Sequence, residues 1–141
     1  MQAEKARLRR LLRLEKLRAF ARQTAAAEAA QAEGTLAQLQ TLAERTHLLA
    51  ADYAARSGAQ DGAALRLLAR FSLGLQGISA STQSDANRAR SIADTKLSEL
   101  AAAECRRAAV EDRADKTASA IASRSTTPVL GTRRGFGTEL D

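Results

Sequence analysis

Tryptophan is absent from this chain, aromatic residues make up only 3% of it, and its one proline sits at position 128. Aromatics usually supply much of the apolar mass of a compact core. Without them burial is expected to be thin and linear. The near-absence of proline leaves long stretches in which nothing interrupts a helix. A single cysteine, Cys105, excludes an internal disulfide framework and suits a reducing compartment. No apolar run approaches the roughly 20 residues of a membrane-crossing helix. At the N-terminus leucine and arginine interleave without a continuous apolar segment, which is not the pattern of a secretory signal. A soluble cytoplasmic chain is expected.

Alanine, leucine, arginine and glutamate dominate what is present, a composition suited to long helices. From Gln2 to Arg56 only Gly34 opposes a helix, at a cost of about 1 kcal/mol. Ala32, Thr35, Leu39, Leu42, Thr46, Leu49 and Tyr53 fall at alternating steps of three and four, the seam spacing of a coiled coil. Residues 57–62 combine two glycines with Asp61, a helix stop followed by a candidate N-cap. A second seam is predicted through Leu68, Phe71, Leu75, Ile78, Thr82, Asp85, Ala89 and Ile92. It slips by one residue to Ala93, Leu97 and Leu100 and resumes at Val110, Ala114, Thr117 and Ile121. Such a slip relaxes left-handed supercoiling. The stretch 125–141 has no period and is expected to be a disordered tail. Two long helices joined by a short loop must fold back on each other. The reading is therefore all-α: one long antiparallel coiled-coil hairpin over 1–124, with helices at about 2–56 and 63–124 and a tip at 57–62.

Charge is concentrated at one end. Residues 1–22 hold eight basic and two acidic side chains, while the rest of the chain holds fourteen of each. That end calls for an acidic partner. Nucleic acid attracts such clusters through counterion release, but no aromatic interleaves with the arginines for base stacking. A membrane surface needs separate apolar and basic faces, and Leu8 and Leu12 stand opposite Leu17 on the helix. An acidic protein surface or pore is favoured over both.

Catalytic chemistry has no raw material here. His47 is the only histidine. Cys105, beside Arg106 and Arg107, has neither a base nor a second thiol with which to act. The glycines at 131–137 neither follow a strand nor open a helix, so they lack the setting of a phosphate-binding loop. Contact rather than chemistry is expected, with no enzyme activity, cofactor, metal or small-molecule substrate.

The order of features resembles the FliJ family of flagellar export proteins. An N-terminal Leu/Arg segment, Leu8-Arg9-Arg10-Leu11-Leu12-Arg13-Leu14-Glu15-Lys16-Leu17, leads into an Ala/Glu-rich helix; a glycine-containing break follows, then a second helix opening with Phe71. The resemblance implies a cytoplasmic, non-enzymatic stalk of the type III export apparatus, peripheral to the membrane through its partners. It would couple the hexameric export ATPase to the cytoplasmic domain of the export gate and bind export chaperones. Carried onto this chain, the ATPase-facing end would be Arg7, Leu8, Arg9, Arg10, Leu11, Arg13, Leu14, Leu17 and Arg18. The gate-facing stripe would be Phe71, Leu75, Ile78 and Thr82, of which Thr82 departs from a more polar position in the family. A basic coiled coil associated with nucleic acid or the nucleoid, and a structural coiled-coil adaptor, are the alternatives from other classes.

Overall fold

The computed structural model describes residues 1–56 and 61–126. Two helices account for nearly all of them: α1, Gln2–Ala55, and α2, Gly62–Thr126. They pack along their lengths as an antiparallel hairpin. The side-by-side pairs fix the register: Glu4 with Arg124, Arg22 with Glu104, Glu28 with Lys96, Thr46 with Thr82 and Tyr53 with Phe71. The two numbers in every pair add to between 124 and 128. The tip residues 57–60 and the tail beyond 126 lie outside the described residues.

The helix ends follow from local chemistry. The Asp61 carboxylate accepts a hydrogen bond from the Ala64 backbone N–H at 2.6 Å and caps α2. At the end of α1, Arg56 leaves the helix with φ −72° and ψ 125°, its N–H still donating to the Tyr53 carbonyl. By the register, Ala55 stands level with about residue 71. The first turns of α2 therefore overhang α1 by roughly 13 Å at 1.5 Å per residue, and Leu65 and Leu67 are correspondingly exposed.

Both seams run in unbroken heptads. On α1 the positions turned toward α2 include Leu8, Leu11, Ala25, Ala29, Ala32, Leu36, Leu39, Ala43, Thr46, Ala50 and Tyr53; on α2 they include Leu68, Ser72, Leu75, Ser79, Thr82, Ala86, Ala89, Ala93, Lys96, Leu100, Ala103, Val110, Ala114, Thr117 and Ile121. This corrects the sequence-derived seams in two ways. As far as Ile92, every second position lies one residue further along than expected. Leu36, Ala43 and Ala50 face inward where Thr35, Leu42 and Leu49 were expected, and Ser72, Ser79 and Ala86 do so in place of Phe71, Ile78 and Asp85. Ile92 is exposed, while Ala93, Leu100, Val110, Ala114, Thr117 and Ile121 face inward as expected. The slip near Ala93 does not occur, because Lys96 holds the next seam position and Leu97 is exposed.

The physical reason is size. Alanine occupies the centre of the seam on both helices, with Ala29 3% and Ala93 2% exposed. Small side chains let the backbones approach closely. Beside Ala43, Ala50 and Ala93 the larger Leu42, Leu49 and Ile92 then lie at the edge of the contact and not within it, while Leu36, Leu39 and Leu75 fill seam positions of their own. No large side chain is fully buried among the described residues.

Candidate partner-binding surfaces

The terminal end is built by residues 1–22 of α1 against the last turns of α2. Seven cations lie between Lys5 and Arg18, and none has an ion-pair partner among the described residues. Leu8, Leu11 and Arg18 are half-buried against α2. Arg7, Arg9, Arg10, Arg13, Leu14 and Leu17 are exposed. The expected ATPase-facing residues therefore divide between the seam and the outer surface. Arg13, Lys16, Leu17 and Phe20 recur at steps of three, one and three, so they share one outward face. Leu17 and Phe20 are 67% and 69% exposed there. Lys16 and Phe20 were not singled out from sequence, although this spacing was there to be read.

Further along, the helices are laced by charge. Arg22 lies 3.4 Å from Glu104. Arg107 donates to Glu104 at 2.7 Å and to Glu111 at 2.6 Å. Those bonds hold the Arg107 guanidinium even more firmly protonated than usual and keep the Glu104 carboxyl below the ordinary carboxylate range. Lys96 donates across the seam to Glu28 at 3.3 Å and along its own helix to Glu99 at 3.4 Å, which raises its pKa. All these groups are substantially solvated, so the pairs set register more than they add stability.

Toward the tip, the four residues of the expected gate-facing stripe do not share one environment. Leu75 is buried and Thr82 half-buried in the seam, whereas Phe71 is 49% and Ile78 52% exposed. The Phe71 ring meets Tyr53 edge-on, with centroids 4.7 Å apart and an interplanar angle of 73°. The Arg56 guanidinium lies over the other ring, 4.2 Å from the Tyr53 centroid. Tyr53 and Leu68 line one shallow hollow with Leu65, Leu73 and Gln76. Phe71 and Ile78 belong to a flank that also carries Leu42, Leu49 and Ile92, all about half exposed. His47 lies on the opposite flank, among Ala50, Ala51, Gln76, Ser79 and Gln83.

Among the described residues no three His, Cys, Asp or Glu side chains converge as metal ligands, and no helix is long and apolar enough to cross a membrane. Cys105 is a free, exposed thiol. The described residues form a helical hairpin with a cationic end and a partly apolar flank. No protein-family model, curated protein or solved structure matches this chain.

Proposed function

We propose that the chain is a non-enzymatic stalk or linker of a flagellar-type export apparatus. Its cationic terminal end engages the acidic interior of a hexameric export ATPase, and its tip engages the cytoplasmic domain of the export gate. Export chaperones are further partners under this reading, and the working site is cytoplasmic, against a membrane-associated assembly. The observation that carries the reading is the separation of two unlike contact surfaces on one rod. Unpaired cations with Leu17 and Phe20 occupy one end, while Phe71 and Ile78 stand half-exposed at the other. At roughly 1.5 Å per residue, α1 holds those surfaces some 60 Å apart, a reach suited to joining two bodies.

Deleting residues 1–22 tests it. The shortened hairpin should remain helical and lose binding to the purified ATPase hexamer, and binding of the intact chain should weaken as salt is raised. The same unpaired arginines also favour a nucleic-acid-binding coiled coil. In that case the intact chain shifts random duplex in a gel, the deletion abolishes the shift, and the ATPase is not bound. Binding to neither leaves a structural adaptor and overturns the stalk reading.

A further inference from the structure

We infer that the apolar flank is a homodimer interface, on which a second copy of this chain packs antiparallel to complete a four-helix bundle. Leu42, Leu49, Phe71, Ile78 and Ile92 stand between 44% and 52% exposed. By the register, Ile78 is level with Leu49, Ile92 with Thr35 and Phe71 with Arg56. Apolar side chains therefore recur along the flank at one-heptad intervals, about 10 Å apart. The opposite flank carries Gln40, His47, Gln76 and Gln83 at the corresponding levels. The two sides of the rod differ in chemistry, and one is suited to burial.

Three features select a second copy as the occupant. A closed dimer needs a surface that matches itself when reversed. Reversal about the midpoint between Leu42 and Leu49 lays Leu42 over the level of Leu49 and Ile78, and Ile92 over Phe71. The same reversal brings Arg88, exposed and without an ion-pair partner among the described residues, to the level of Asp52 on the other copy, whose carboxylate already accepts from Arg56 of its own helix at 3.0 Å. Near the axis, two copies of Arg45 are met by two copies of Asp85, a half-buried carboxylate with no cation partner among the described residues. The third feature is the position of Gly74, mid-helix between Phe71 and Ile78 on this flank, where a Cβ would meet nothing within 4 Å, as is also true of Gly34 and Gly77 elsewhere on the rod. Glycine there weakens α2 with no compensation inside the monomer. A bare backbone at that point admits a neighbouring helix.

The inference goes beyond the stalk reading and holds whichever partner the chain serves. Phe71 and Ile78 would be common to both uses, so a partner at the tip competes with the second copy.

Sedimentation equilibrium of the full chain across a dilution series tests it. The chain should run at twice its 15.0 kDa monomer mass. Ile78→Glu should raise the dimer dissociation constant by roughly tenfold or more, since it places a charge in an apolar contact, without lowering helicity. Gln40→Glu on the opposite flank should leave the dimer intact. Arg88→Asp and Asp52→Arg should each weaken association, and the two together should recover it. A monomer at every concentration would leave the flank to a different protein and overturn the inference. A dimer indifferent to Ile78→Glu, or an open polymer, would overturn it equally.

Discussion

Thr46 and Thr82 join the two helices through their hydroxyls, 2.9 Å apart. Each hydroxyl also lies within reach of a carbonyl on its own helix, Thr46 with Ala43 at 3.0 Å and Thr82 with Ser79 at 3.1 Å. A hydroxyl has one proton. One threonine therefore donates across the seam while the other donates to its own backbone. A double-mutant cycle with Thr46→Val and Thr82→Val should return a coupling of about 0.5–1.5 kcal/mol in thermal unfolding. The double variant should be nearly as stable as the original, because both polar groups leave together. Additive losses would mean that the cross-seam bond is not formed in solution.

Leu75 and Phe71 should separate sharply on truncation. Leu75 is buried in the seam, so Leu75→Ala is expected to cost about 2–4 kcal/mol. Phe71 is half-exposed and rests on Tyr53, so Phe71→Ala should cost about 1 kcal/mol, in the range of an aromatic pair. Circular dichroism melts decide the matter. The pair mutated together cannot report on binding alone, since one member is core.

Ala93 should tolerate nothing larger. Ala93→Leu forces a branched side chain into a seam position that is 2% exposed and should cost about 1–3 kcal/mol. Leu97→Ala, four residues on, should change the melting midpoint little, because Leu97 stands outside the seam. The reverse ranking would restore the one-residue slip that the sequence suggested.

Acid should loosen the terminal half before the alanine seam. Glu104 has its pKa lowered by Arg107, so its contribution is present above the ordinary carboxylate value of 4.5 and is lost as pH falls through the lower folded value. Lys96 has its pKa raised. Its contribution is complete below the ordinary value of 10.5 and fades only as pH rises through the higher folded value. Stability should therefore be level between those limits. Amide protection near Glu104, referred to the intrinsic exchange rate at each pH, should fall below pH 4.5, and Glu104→Gln should flatten that acid limb.

The hairpin was legible in the sequence, and with it alternate positions of both seams near the tip and the α2 seam at Ala93, Leu100, Val110, Ala114, Thr117 and Ile121. Ala32, Leu39, Thr46 and Tyr53, with Leu68, Leu75, Thr82 and Ala89, face inward as their spacing indicates. Most of the rest was misread because hydrophobic periodicity weighs side-chain volume; Leu36, larger than the Thr35 that was expected, is the exception. Leu42 beside Ala43, Leu49 beside Ala50 and Phe71 beside Ser72 each offered a larger candidate one residue from the true seam position. Helices in close contact reverse that preference, and only the partner helix reveals it. The basic end was legible as charge, whereas the outward pairing of Leu17 with Phe20 required knowing which side faces α2.

The unbroken heptads also twist the rod. A straight helix drifts by about 20° per heptad against a strict seven-residue pattern, so both helices must coil around each other to keep their seams together. Over the length of α1, roughly 80 Å, a supercoil with a pitch near 150 Å completes about half a turn. A flank that points one way at Phe71 consequently points nearly the opposite way beside Leu14. Two bodies held on the same flank at the two ends would sit on opposite sides of the rod.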